Sequence, residues 1–216
     1  MAHKIAYVGA PLGFEMEGVV QIPVLRIDYL DLSKMNNIGG VVVFTSKRGI
    51  ISLKKSNVSI RCDRAYCIGE QTSRYLKETY SIDCIVPAVQ TTEGLAELLI
   101  GSETSVNVVA SDQIDRKFIE RMESRGIYVK YIVSYKISES KAADYEPLRD
   151  SDKVLFGSSK SFEILYRNGA SLLDGKEIYA IGKPTEETIM RHGYGVAESF
   201  ETPNIRAILS KLITAL

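Results

Sequence analysis

The chain is written twice, and this repetition limits the possible folds more than any other feature. Apolar runs of four or five residues alternate with segments of helical period, the pattern of βα units around a parallel sheet. Val41-Val42-Val43-Phe44 leads into Thr45-Ser46-Lys47-Arg48-Gly49-Ile50, and Lys153-Val154-Leu155-Phe156 leads into Gly157-Ser158-Ser159-Lys160-Ser161-Phe162. Ala65-Tyr66-Cys67-Ile68-Gly69-Glu70-Gln71-Thr72 is answered by Ile178-Tyr179-Ala180-Ile181-Gly182-Lys183-Pro184-Thr185. Each copy then reaches a capped amphipathic helix, at Thr91-Thr92-Glu93-Gly94-Leu95 and at Thr202-Pro203-Asn204-Ile205-Arg206. The landmark pairs Ser46/Ser158, Gly69/Gly182 and Thr91/Thr202 stand 112, 113 and 111 residues apart. Unrelated apolar strands would not hold one offset across three elements, so the repetition reads as an internal duplication.

The duplication extends upstream. Val106-Asn107-Val108-Val109-Ala110 precedes Ser111-Asp112-Gln113 and a helical Phe118-Ile119-Glu120-Arg121-Met122, and Lys4–Val8 precedes Gly9-Ala10-Pro11. Two long extended segments, 19–30 and 127–138, then occupy equivalent places and are suited to pair as a two-stranded ladder. If they do, the chain forms a discontinuous first domain from residues 1–22 and 139–216 and a second from residues 34–128. Strands 23–33 and 129–138 then serve as linkers. Tandem packing without exchange is the alternative arrangement. Either way the expected fold is α/β, with two parallel-sheet domains and a cleft between them.

Composition excludes several functions. Among 216 residues the 27 Lys and Arg balance the 27 Asp and Glu, giving no basic excess for nucleic-acid binding. No apolar run is long enough to span a membrane. The start, Met1-Ala2-His3-Lys4, runs into a strand without a signal-peptide core, which points to the cytoplasm and away from an extracytoplasmic solute-binding protein. Three cysteines (Cys62, Cys67, Cys84) without a CxxC pair, and two histidines (His3, His192), give a metal site little to build from. The cysteines read as small core residues in a reducing compartment.

Ligands of parallel α/β sheets bind at the carboxyl ends of strands, where helices present their N-termini. Those places are rich in hydroxyls and glycine: Thr45-Ser46, Gly69 to Thr72, Ser111, Ser158-Ser159 and Gly182 to Thr185. The unpaired N–H groups and positive dipole end of each helix suit carboxylate or phosphate, although Ser and Thr also cap helices whatever the function. Lys47, Lys160 and Lys183 add cations where the helix dipole disfavours them, which suggests a ligand with several negative charges. No phosphate loop, no GxGxxG, no GxSxG elbow and no histidine near Ser46 or Ser158 appears in the sequence. The site is expected to work by orientation and hydrogen bonding, with one phenol.

The ordered set Phe44-Thr45-Ser46, Ile68-Gly69-Glu70-Gln71-Thr72, Ser111, Val133-Ser134-Tyr135-Lys136 and Ala180-Ile181-Gly182-Lys183-Pro184-Thr185 resembles the uroporphyrinogen-III synthase family over nearly the whole chain. The resemblance implies two α/β domains joined by a two-stranded ladder, and a cofactor-free lyase of tetrapyrrole biosynthesis. Its substrate is hydroxymethylbilane, a linear tetrapyrrole with eight carboxylates, which it cyclises with loss of water and inversion of the last ring. By position, Thr45, Ser46, Thr72, Ser111, Ser158 and Thr185 take the family's carboxylate-binding places, with Lys47, Gly69, Ser159, Lys160, Gly182 and Lys183 beside them. Tyr135 falls where the family has a tyrosine proposed to help the hydroxyl leave. In this sequence Gly9 to Glu17 leaves no room for the family's usual first helix. Gly157 stands where a polar or bulky residue is common, and Pro184 where a hydroxyl is common. A non-catalytic tetrapyrrole- or anion-binding protein of the same fold is the alternative. A monomer without nucleic-acid or membrane partners is the expectation.

Overall fold

The computed structural model describes residues 4–201 and 204–214; His3, Thr202 and Pro203 lie outside the described residues. The chain divides into two units, one of residues 1–27 and 138–216 and one of residues 28–137.

The contiguous unit contains β4 (Asn37–Phe44), α1 (Lys47–Lys55), β5 (Ser59–Cys67), α2 (Glu70–Tyr80), α3 (Thr92–Leu99), β6 (Ser105–Ser111), α4 (Arg116–Glu123) and most of β7 (Tyr128–Glu139). With β3 (Leu25–Tyr29) they form a five-stranded sheet of order β3-β7-β6-β4-β5. Pairing of β4 with β5 and β6, and of β6 with β7, is parallel. The continuous apolar run of β4 follows from burial on both faces. Val42 and Phe44 pack with Ile50, Leu53 and Leu76 of α1 and α2. Val43, pointing the other way, packs with Leu95, Leu99, Phe118 and Met122 of α3 and α4.

The discontinuous unit holds β1 (Lys4–Gly9), β2 (Val19–Pro23), β8 (Ser151–Phe156), α5 (Ser159–Gly169), β9 (Glu177–Ile181), α6 (Lys183–Arg191), β10 (Glu198–Phe200) and α7 (Ile205–Thr214). Its sheet has the order β10-β9-β8-β1-β2, with every pairing parallel. Ile5, Tyr7, Leu155 and Tyr179 meet Ile208, Leu209 and Leu212 of α7. Between Gly9 and Gly18 the chain makes turns and bends without a helix. The extended segment 19–30 is not one strand: at Val24, whose N–H bonds back to the Ile22 carbonyl, it splits into β2 and β3. β2 joins the sheet of its own unit beside β1, while β3 lies beside β7.

The duplication is legible in the topology. The row β9-β8-β1-β2 of one sheet has its counterpart in β5-β4-β6-β7 of the other, with the same neighbours in the same order. Even the outermost elements match. β10 pairs Glu198 with Tyr179, and 113 residues earlier Ile85 makes an isolated parallel bridge to Tyr66. Here the structure corrects the expectation that the cysteines are merely small core residues: Cys67 and Cys84 form a disulfide, and only Cys62, half-buried, is free. The pairing escaped the sequence because the bridge at Ile85 that brings the two cysteines together is too short to show as a strand.

A structural reason also emerges for Gly157. A Cβ at that position would come 2.5 Å from the hydroxyl of Tyr7, which is only 4% exposed, and Gly9 faces the same ring. The bulk that Gly157 lacks is supplied by Tyr7. Gly157→Ala is therefore expected to cost ~1–3 kcal/mol through overpacking, read as a lowered midpoint in urea unfolding. An unchanged midpoint would show that the ring yields freely.

Tyr179 offers a second test. Burial, and then a 2.9 Å hydrogen bond to Glu177 Oε2, push its phenol up from 10.0 to about 12. The folded state keeps the proton that the unfolded chain loses near pH 10, so this contribution is intact below pH 10 and is lost as pH climbs towards about 12. Tyr179→Phe should flatten that alkaline loss in urea titrations across the same range; an unchanged pH slope would count against the assignment.

Candidate active site

Parallel strands deliver their carboxyl ends to one edge, and each unit has such an edge. In the contiguous unit Phe44 pairs with Cys67 and Val109, and Ser111 with Tyr135. This places the turn Thr45-Ser46-Lys47, the turn Gly69–Thr72, Ser111 and Tyr135 along one edge. Each is there for a local reason. Ser46 has extended backbone and caps α1, its hydroxyl oxygen accepting from the Arg48 N–H at 3.1 Å. Thr72 is buried in the first turn of α2, its N–H bonded to the Gly69 carbonyl. The Ser111 hydroxyl oxygen accepts from the Gln113 N–H at 3.3 Å, and the Ser111 carbonyl accepts from the Tyr131 hydroxyl. Thr45 and Ser46 are half-buried and Lys47 is exposed.

In the discontinuous unit Phe156 pairs with Ala180, bringing the turns Gly157–Lys160 and Gly182–Thr185 side by side. Ser158 caps α5 through the Ser161 N–H (3.2 Å) and shares a 2.7 Å bond with the Ser161 hydroxyl. Ser159 donates to the Pro184 carbonyl at 2.9 Å and so ties the two turns together. Thr185 is 3% exposed and donates its hydroxyl proton to the Ile181 carbonyl at 2.7 Å. In this geometry that proton is not available to a carboxylate; the Thr185 and Glu186 N–H groups bond to the Gly182 carbonyl and Pro184 has none, so the donor this turn can offer is the Lys183 N–H. Gly182 itself needs glycine, since its φ is +81°.

The two edges therefore share a design: hydroxyls that cap helices, and first-turn N–H groups directed at the edge. Such edges orient anions and donate hydrogen bonds. Among the described residues no group of three or more His, Cys, Asp or Glu stands together as metal ligands. No described helix is long and apolar enough to cross a membrane.

Two features of the contiguous unit's edge were missed from sequence. Tyr135, only 4% exposed, faces Tyr29 with ring centroids 6.4 Å apart. Burial raises the Tyr29 pKa, with the nearby Arg48 charge opposing the shift. The second feature is Gln90, whose Oε1 accepts the Glu70 N–H at 3.1 Å and so stands over the N-terminus of α2. The alternation of segment 19–30 carried a signal for Tyr29; nothing in the loop around Gln90 did.

Comparison with known proteins follows the same lines. A family model described as uroporphyrinogen-III synthase HemD matches residues 17–210. Among solved structures, uroporphyrinogen-III synthetase of Helicobacter pylori is similar over 99% of this chain and 100% of its own, at 18% identity and a TM-score of 0.69. A mutant uroporphyrinogen III synthase of Thermus thermophilus is similar over 99% and 98%, at 16% identity and a TM-score of 0.59. These likenesses establish the fold. No curated protein matches the chain significantly by sequence. The family match covers every strand of both sheets but β1, and this chain belongs to the uroporphyrinogen-III synthase family.

Proposed function

We propose that this protein is a cofactor-independent lyase that cyclises hydroxymethylbilane to uroporphyrinogen III, losing water and inverting ring D. The observation that carries the reading is the family match over residues 17–210. The two receptor edges support it, because a substrate with eight carboxylates calls for many anion-holding turns and little else.

In this reading Thr45, Ser46, Lys47, Gly69, Thr72 and Ser111 receive acid arms on one unit. Ser158, Ser159, Lys160, Gly182, Lys183 and Thr185 do so on the other. At Thr185 the buried hydroxyl and the N–H both bond within the turn and hold it in shape, and the contact falls to Lys183. Tyr135 donates its phenolic proton to the departing hydroxyl; the C–O bond breaks with electrons from the pyrrole, and water leaves. The phenolate then recovers a proton from the pyrrole nitrogen, giving a neutral azafulvene. Ring D attacks through its substituted carbon to form a spiro intermediate, whose rearrangement closes the inverted ring. Uncatalysed closure gives the non-inverted isomer, so the protein's task is orientation, for which ~7–11 kcal/mol is attainable. Tyr29 against Tyr135 fixes the phenol's position. The protein acts as a cytoplasmic monomer on a small-molecule substrate, without nucleic acid or membrane.

The deciding assay generates hydroxymethylbilane in place, adds catalytic amounts of the protein, and separates oxidised product into type I and type III isomers. Type III product is expected. Type I at the blank rate would mean an anion-binding protein that kept the fold without the chemistry. Tyr135→Phe should lower kcat about 10²-fold or more, as loss of a general acid does, while the thermal midpoint stays put. An unaltered kcat would reduce Tyr135 to a packing partner of Tyr29.

A further inference from the structure

The loop between α2 and α3 closes over the contiguous unit's edge strand and ends on a receptor turn. Its middle is attached to β5 by one bridge: the Ile85 N–H donates to the Ala65 carbonyl, and the Ile85 carbonyl accepts from the Cys67 N–H. Next to that bridge the Cys67–Cys84 disulfide joins loop and strand. Its far end brings Val89 hard against Gly94 and Gln90 hard against Gly69; a Cβ on either glycine would lie well inside van der Waals contact. Gln90 lies over Gly69, and its Oε1 occupies the Glu70 N–H. Gly69 supplies no side-chain cap to α2, so Gln90 takes that role from outside the helix.

The other copy shows what the disulfide replaces. The positions 113 residues on from Cys67 and Cys84 are Ala180 and Ala197. There the equivalent segment is a true strand, β10, paired with β9 at Glu198, Ser199 and Phe200. One unit holds its outer segment by a ladder; the other holds it by a single bridge, a sulfur–sulfur bond and the packing of Ile82 and Val86 on the core.

We propose that Gln90 is a positioning residue that stoppers the Gly69–Thr72 turn, and that the Cys67–Cys84 disulfide is a thiol-sensitive clip holding it there. The proposal rests on the reading that this turn receives a substrate carboxylate. In the oxidised protein the carboxylate must displace the Gln90 oxygen from the Glu70 N–H. A dithiol reductant opens the clip. Its thiolate attacks the sulfur of Cys84, which is half-buried, whereas Cys67 is fully buried. The Cys67–Cys84 bond breaks and Cys67 departs as thiolate. The reductant's second thiol then resolves the mixed disulfide, so that two cysteine thiols and one oxidised dithiol result. The loop is left with its bridge and the packing of Ile82 and Val86, and the end that carries Gln90 is loosened.

The test uses the full chain, air-oxidised or treated with dithiothreitol. Thiol titration under denaturing conditions should find one reactive thiol before reduction and all three after it. On reduction, amide exchange at Glu70 and through residues 81–91 should rise, and KM for hydroxymethylbilane should fall about three- to tenfold with kcat held, the worth of one neutral hydrogen bond. Gln90→Ala in the oxidised protein should reproduce that KM and remove its response to dithiol. Cys84→Ala, which copies Ala197 of the other repeat, should be fixed in the low-KM state. Three reactive thiols before reduction, unchanged exchange after it, or a dithiol response that survives Gln90→Ala would each overturn the proposal. Absence of type III product in every redox state would instead overturn the functional reading, and the exchange measurement would still decide the clip.

Discussion

Parallel pairing of β4 with neighbours on both sides is the constraint on which the rest of the structure depends. A parallel strand cannot turn back on itself, so each must be followed by a crossover that descends one face of the sheet. The crossovers here bury Val42 and Phe44 on one face and Val43 on the other. They also return β4, β5, β6 and β7 in the same direction, so the helix N-termini gather at one edge. The turns proposed to receive the substrate are a by-product of strand direction. Their hydroxyls first satisfy the helices, as Ser46 and Ser158 do, and what remains for a ligand is mainly backbone N–H.

This explains why a chain with one histidine and no metal cluster among the described residues can still belong to a family of cyclising lyases. Electrophile formation at a hydroxymethylpyrrole is intrinsically easy, and selectivity between two ring closures is a matter of geometry. A scaffold that holds many carboxylates through fixed dipoles can supply that geometry with little reactive chemistry beyond one proton donor.

Much of this was legible in the sequence, and the exceptions have physical causes. The α/β class, the repeat and the strand-end turns could be read because buried parallel strands leave unbroken apolar runs such as Val41 to Phe44, and because the repeat tests each element against its copy. The division of segment 19–30 at Val24 was not legible: both halves are extended, and one backbone bond within the segment separates them. The disulfide was hidden because sequence shows only that Cys67 and Cys84 are 17 residues apart, not that the loop doubles back to lie beside β5. At the site, residue identities were visible but their commitments were not. Nothing in the letters shows that the Thr185 proton goes to Ile181, or that Gln90 reaches the end of α2.

The discontinuity of one unit also bears on how the protein is made. Residues 28–137 are contiguous, so their sheet can assemble as soon as they leave the ribosome. β1, though synthesised first, lies between β2 and β8 and gains its second neighbour only when residues 151–156 emerge. Until then the apolar strand Ile5-Ala6-Tyr7-Val8 carries an open edge beside β2. Nascent chains of this topology thus hold their earliest strand half-paired through most of translation, and it is the last third of the sequence that shields it.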